Sequence, residues 1–208
     1  EMLEMASLGA KVMQPVSIQE ARLNRIEVDV RSTFSKKLGT IITKKKNIVN
    51  KNTIRGISFT KNDAKLTLIG VKDQPGVAAS IFKPLYENSI NVDMVVQNIS
   101  ANRRETDLTF TIKLEDLIKT KKLIQNNKSI KFKELIVNKN VSKVSIVGVG
   151  MITTPGVTYR MFKALAKKKI NIEVISTSEI KISVLINKKN LKKSVEILHQ
   201  EFKLNQNL

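Results

Sequence analysis

The sequence predicts an α+β chain made of two tandem βαββαβ units behind a shorter α/β segment. Three observations carry that prediction. A strand–turn–helix–strand pattern occurs twice, at residues 66–100 and 144–179. Each copy has an apolar run ending at a glycine (Gly70, Gly148), a Pro-Gly pair (Pro75-Gly76, Pro155-Gly156) and an Ile-Asn pair (Ile90-Asn91, Ile170-Asn171). With 208 residues, 41% of them hydrophobic, the chain is long and apolar enough to bury a real core over one to two domains.

Residues 1–10 place apolar side chains at helical spacing and stop near Gly9, and residues 17–26 read as a second helix. Residues 26–34 alternate apolar and polar, which predicts a strand; Gly39 marks a turn and Ile41 and Ile42 a further strand. The charged run at 44–52 reads as a linker. In the first repeat the expected order is strand 65–71, helix 75–88, strands 91–98 and 106–113, helix 115–125 and strand 131–137. The second gives strand 143–149, helix 155–168, strands 171–177 and 180–186, and helix 190–201. This is the order of the ferredoxin-like fold. The second repeat then runs short of chain for its last strand. The unassigned run 53–59 can fill that place, which would insert the first repeat inside the second. The matching residues keep an offset of 78 to 80, including Phe82 with Phe162, Leu85 with Leu165 and Asp93 with Glu173; such self-similarity fixes the organisation.

The repeated loop has its own chemistry. Proline at the first helical position costs nothing, because that N–H lacks a helix partner anyway, and the glycine beside it removes a side chain. Bare N–H groups at a helix start favour an anion such as the carboxylate of a free amino acid. Its ammonium group then needs oxygen acceptors. Asp73, Asn91 and Asp93 offer them in the first repeat, and Thr153, Thr154 and Glu179 in the second. Pro84, inside the first helix, removes one backbone bond there.

The pattern G-x4-PG(V)-x8-L-x4-IN(V/I) resembles the ACT domain, a small-molecule-sensing module. Longer runs, IRGISFTKNDAKLTLIGVKDQPG, NVDMVVQNIS and INIEVISTSEIKISVLI, are similar to the tandem ACT regulatory region of the bacterial aspartokinase family. The opening EMLEMASLGAKVMQPVSIQEARLNRIEVDVRSTF resembles the end of that family's amino-acid-kinase domain. The resemblance implies a kinase-domain remnant at 1–43, a linker at 44–52, a first ACT domain at 61–140, and a second from 53–60 plus 141–208. It also implies ATP-dependent phosphorylation of L-aspartate to 4-phospho-L-aspartate, on the route to lysine, threonine and methionine, in the whole enzyme. ATP and Mg serve that whole enzyme, and no cofactor or metal is expected in this chain.

Carried over by position, the first effector site uses Asp73, Gln74, Pro75, Gly76, Val77, Ala78, Asn91, Val92, Asp93 and Gln97. The second uses Met151, Thr153, Thr154, Pro155, Gly156, Val157, Ile175, Thr177, Ser178 and Glu179. The expected partners are L-lysine, L-threonine or both as effectors, a second copy pairing through the ACT domains, and a catalytic kinase chain. The family's Lys-Phe-Gly-Gly phosphate loop and aspartate-recognition segment are missing from these residues, so the chain alone is expected to be inactive. It begins with Glu rather than Met, and a truncated kinase sequence is expected ahead of a natural regulatory subunit.

Composition narrows the other classes. Cysteine is absent, which excludes a disulfide scaffold, a Cys-built zinc site and a Cys nucleophile. His199 is the single histidine and reads as a boundary residue on a helix. Lys and Arg number 37 against 18 Asp and Glu, a net charge of +19. Lys greatly outnumbers Arg, and the excess reads as drift of a solvated surface, not as a nucleic-acid footprint. A basic RNA-binding protein on the same strand order needs exposed aromatics on its central strands, and only Phe110 is offered. A free-standing amino-acid sensor is the other rival; residues 1–42 argue against it. No signal-peptide or membrane-spanning pattern occurs, so neither a membrane nor a nucleic-acid partner is expected, and the expected compartment is the cytoplasm.

Overall fold

The computed structural model describes residues 1–43, 53–99, 105–127 and 129–204. The expected linker at 44–52 lies outside them. The chain opens with helix α1 (Met2–Ser7), helix α2 (Pro15–Leu23) and strands β1 (Val28–Val30) and β2 (Thr40–Ile42), which pair antiparallel. The strand expected over 26–34 is trimmed to three residues, since only these find a partner; Ile26 and Phe34 are exposed. Pro15 begins α2, where its missing N–H is harmless. Gly9 ends the first segment at φ +105°, and a Cβ there would lie 2.4 Å from the Phe59 carbonyl oxygen. It is therefore glycine both for its backbone angle and for the close approach of α1 to the sheet.

The repeats follow as strand β3 (Gly56–Lys72), helix α3 (Val77–Glu87), strands β4 (Val92–Ile99) and β5 (Glu105–Lys113), helix α4 (Leu117–Asn126) and strand β6 (Glu134–Val147). Helix α5 (Val157–Lys167), strands β7 (Ile172–Ser178) and β8 (Lys181–Asn187) and helix α6 (Leu191–Glu201) come next. All six of these strands form one antiparallel sheet in the order β4-β5-β3-β6-β8-β7. The order is its own mirror under exchange of the repeats, so the sheet has an internal pseudo-twofold axis between β3 and β6.

The run 53–59 does take the place of the missing last strand. Residues 56–60 of β3 pair with Val147 to Lys143 of β6. The structure also corrects the expectation of separate strands there. Runs 53–59 and 65–71 are one 17-residue strand, and runs 131–137 and 143–149 merge into the 14-residue β6. Polar stretches that look like turns, Lys61-Asn62-Asp63 and Asn138-Lys139-Asn140, are instead the middle of a two-stranded ribbon. The register slips there, between Thr60 and Asp63 and again before Lys65, as expected where a ribbon bends.

Alternation along the strands sorts side chains to two faces. Leu66, Leu68, Leu108 and Phe110 meet Ile81, Leu85, Leu117 and Ile124 of α3 and α4 in one core. Val144, Ile146, Ile182, Val184 and Ile186 meet Val157, Met161, Leu165 and Leu198 of α5 and α6 in the other. Phe110 is fully buried and edge-on to Phe82 at 5.3 Å, so it forms no stacking platform for RNA. On the opposite face the two ends of the sheet bend toward one another. β4 touches β7, and Met94, Val141, Val174 and Leu185 form a third, smaller core there.

Candidate functional site

Both Pro-Gly loops are built alike, with one correction to the sequence reading. Each helix begins at the valine, so the proline stands two residues before it and the glycine is the N-cap. Gly76 has φ +86° and Gly156 φ +89°, left-handed angles that disfavour any other L-residue. A Cβ at either glycine would touch nothing within 4 Å, so backbone angle rather than crowding selects glycine. No side chain caps either helix. The Val77 N–H is turned back to the Gln74 carbonyl at 3.2 Å, and the first helical bonds are Ser80 N–H and Arg160 N–H to the glycine carbonyls. The N–H groups between project from an exposed loop, the polarity an anion prefers.

The strand register shows which candidates gather. Val71 pairs with Thr106, which also pairs with Ile99, so the loop 73–78 lies at the end of the sheet where β4 finishes. Gln97 is two residues from that end. Asp93 instead shares a row with Thr111 and Lys65, six residues back, about 20 Å at strand rise. Asn91 and Val92 lie beyond it. Within one copy of the chain, the first site's residues therefore split into Asp73, Gln74, Pro75, Gly76, Val77, Ala78 and Gln97 at one end and Asn91, Val92 and Asp93 at the other.

The second site gathers better. Val147 pairs with Lys181, which pairs with Ser178, and the Gly148 N–H donates to the Ile180 carbonyl at 3.0 Å. Thr177, Ser178 and Glu179 thus stand beside the loop 149–156. Thr153 donates to the Gly150 carbonyl at 3.4 Å, and the Thr154 hydroxyl is 3.3 Å from that of Thr53. Met151 is half-buried against the core and Val157 is buried, so these two support the loop; Ile175 is exposed. The N-terminal segment closes on this loop. A Glu1 carboxylate oxygen accepts the Val149 N–H at 2.9 Å and lies near Arg55, and Glu4 pairs with Lys181 at 2.8 Å.

Between β4 and β7 runs a groove of about 270 Å³, lined by Val96, Asn98, Thr109, Glu173 and Ile175 among others. A larger cleft of about 900 Å³ lies away from both loops, between Gly9, Phe59, Thr60, Lys61 and Lys113.

Sequence reading missed two lysines beside the groove. Lys143 of β6 bonds Asp93 of β4, and Lys65 of β3 bonds Glu173 of β7 at 2.5 Å, with Asn138 also reaching Glu173. The signal was present: Lys65 and Lys143 hold matched places in the two repeats, as do Asp93 and Glu173. Partial burial acts to raise the Asp93 carboxyl, but the hydrogen bond and charge of Lys143 outweigh it. The Met94 N–H and Lys181 add to their effect, and the group titrates below its ordinary value.

Duplicated βαββαβ units with uncapped loops at matched ends define a tandem ACT architecture, and the ACT domain family matches residues 66–127 and 144–202. The chain is 45% identical over 206 residues to the aspartate kinase of Pseudomonas fluorescens, covering 98% of this chain and 50% of that protein. The crystal structure of the regulatory subunit of aspartate kinase from Thermus thermophilus, ligand free, matches at 36% identity and TM-score 0.67, over 72% of this chain and 99% of that one. The fold extends to the N-terminal segment in aspartate kinase from Clostridium acetobutylicum, at TM-score 0.84 and 22% identity, over 97% of this chain and 47% of that one. The chain belongs to the aspartate kinase family and corresponds to its regulatory region. It spans about half the length of the curated relatives it matches.

Proposed function

We propose that this chain is the feedback-sensing part of an aspartate kinase in the cytoplasm, binding L-lysine, L-threonine or both. The whole enzyme would transfer the γ-phosphoryl group of ATP to the side-chain carboxylate of aspartate. These residues do not fit a magnesium–nucleotide complex: among the described residues no three carboxylate or imidazole groups cluster as metal ligands, and no Gly-rich phosphate loop occurs in the sequence. Catalysis therefore belongs to other residues of a longer protein or to a partner kinase chain, and this chain alone is inactive. No described helix is long and apolar enough to cross a membrane.

The observation that carries the reading is the matched pair of uncapped helix starts, each set by a left-handed glycine. An effector's carboxylate would take the loop N–H groups, and its ammonium the carboxylates. In the second site Thr177, Ser178 and Glu179, beside the loop, would take the effector's ammonium. In the first, the 20 Å between the loop and Asp93 argues for a homodimer in which 73–78 of one copy meets 91–97 of the other. Effector binding at such a joint biases a two-state assembly by its differential affinity for the two states.

A regulatory subunit without catalysis is the second reading. It is favoured by the match over 99% of the Thermus thermophilus regulatory subunit, which takes in 72% of this chain. Titration calorimetry with L-lysine and L-threonine, singly and together, tests the sensor assignment. Saturable binding that is lost in Asp73→Ala or Glu179→Ala is expected. A folded chain that gives no heat with either amino acid refutes it.

A further inference from the structure

The edge strands of the sheet carry an arrangement that the effector assignment leaves unused. Asp93 is half-exposed, yet its carboxylate is bonded by Lys143, whose side chain is only 6% exposed. Lys143 belongs to the second repeat, and two strands, β5 and β3, separate β4 from β6 in the sheet order. The contact therefore crosses the bent face and is not a neighbour-strand pair. Its counterpart repeats the logic: Glu173 of the second repeat is bonded by Lys65 of the first at 2.5 Å. Both carboxylates stand at irregularities of their strands, between Asp93 and Val96 in β4 and between Ile172 and Val174 in β7. Met94 is forced to φ +45° beside the first, and its N–H donates to Asp93 at 2.9 Å. A bulge is a means of re-aiming a side chain, and here both turn a carboxylate onto the other repeat.

We infer that Lys143 is a functional member of the first candidate site, an internal ammonium group that holds the place on Asp93 which an effector's ammonium takes. The inference rests on the amino-acid-sensing reading above. An effector then does not fill an empty acceptor; it exchanges one ammonium for another. The exchange leaves Lys143 buried and without its counter-ion, in the strand that leads directly to Gly148 and the second loop. Occupancy of the first site is thereby felt in the second repeat, and Lys143 sets a threshold that a weak amine does not pass. Lys65 on Glu173 gives the reciprocal restraint.

The test compares the 208-residue chain with its Lys143→Met, Lys143→Arg and Asp93→Asn variants, by calorimetry with L-lysine and with L-threonine. Hydrogen exchange of the β4 amides is followed in parallel. Met keeps the volume of the buried stem and removes the competing cation. For the amino acid that binds, Lys143→Met is expected to tighten binding about tenfold, one charge-assisted hydrogen bond's worth, while Lys143→Arg stays near wild type and Asp93→Asn loses binding. Without ligand, β4 exchange is expected to quicken in Lys143→Met and to slow again when the amino acid is added. A purely structural ion pair would lower affinity and order together. Unchanged or weaker binding in Lys143→Met, with binding still lost in Asp93→Asn, overturns the role of Lys143 and leaves the sensor reading standing. Binding that survives in Asp93→Asn also overturns it. No heat from wild type or any variant overturns both.

Discussion

Gly70 and Gly148 match in the two repeats, yet substitution at each should fail for a different reason. At Gly148 the backbone is extended, φ 175°, so alanine suffers no conformational strain. Its Cβ would lie 2.2 Å from the Thr53 carbonyl oxygen and 2.8 Å from the Ile54 Cα. That backbone is held by the Arg55 N–H bond to the Val147 carbonyl at 2.8 Å and by Ile54, 2% exposed in the second core. Moving it by more than 1 Å costs about 3 kcal/mol, the upper range of overpacking. At Gly70 the angle is φ +65°, and the Cβ meets the Lys133 side chain at 2.6 Å. A lysine stem swings aside, giving up a surface pair with Glu105, so the cost is about 1 to 2 kcal/mol, mostly backbone strain. Urea unfolding at unchanged slope measures both. Asparagine separates the causes: it tolerates the left-handed region and should recover part of the loss at Gly70, while at Gly148 it should lose more than alanine. A Gly148→Ala variant that unfolds at the wild-type midpoint, or Gly148→Asn more stable than Gly148→Ala, refutes the reasoning.

Phe110→Ala empties the centre of the first core and should cost about 3 to 5 kcal/mol in the same assay; a loss under 1 kcal/mol would mean that Phe82 is not held by it. The Thr120 hydroxyl is fully buried in α4 with no hydrogen-bond partner among the described residues, so the isosteric Thr120→Val should raise stability by about 1 kcal/mol, and a lowered melting temperature counts against that. Asp93 titrates below its ordinary value in the folded chain, so its stabilising contribution is complete above the unfolded value of about 4 and fades as pH falls through the folded one. Wild type and Asp93→Asn should therefore differ in melting temperature at pH 7, and the gap should narrow as the pH falls below the unfolded value of about 4; a gap that does not narrow in acid assigns the effect to packing.

The repeat made most of the fold legible. Apolar periodicity located each helix and strand of the sheet to within a few residues, because each has one buried face. It failed where burial does not alternate. Lys61, Asn62 and Asp63 look like a turn, yet β3 continues through them because β6 is beside it for the whole length. Asp63 is even buried there, bonded by Thr60 and Lys113, where the matched Val141 is aliphatic. Residues 26–34 failed in the other direction, since an alternating pattern with little to pair against leaves only a three-residue strand. Of the candidate sites, the repeated Pro-Gly pairs marked both loops, but not that the proline stands outside the helix or that the glycine is needed for a left-handed angle. The distance between Asp73 and Asp93 was not, because sequence spacing hides which end of a sheet a strand begins on. Nor was the partnership of Lys143 with Asp93, which depends on how far the sheet bends.

The continuous β3 and β6 have a consequence for how the chain reaches this state. The pairing of residues 56–60 with 143–147 closes a loop of about 80 residues, an entropic penalty that slows folding when it must be met by random search. The intervening residues remove the search. Once β3 and β6 have paired from Asp63 to Ile69 and from Glu134 to Val141, Thr60 and Lys143 already stand opposite each other, and the remaining pairs zip on as in a hairpin. Synthesis from the N-terminus delivers the parts in that order, because residues up to 141 emerge before the last four secondary elements do. The first repeat is thereby expected to serve as the folding nucleus of the second. A substitution that slows its closure, such as one in the core around Phe110, should delay helices α5 and α6 although it touches neither.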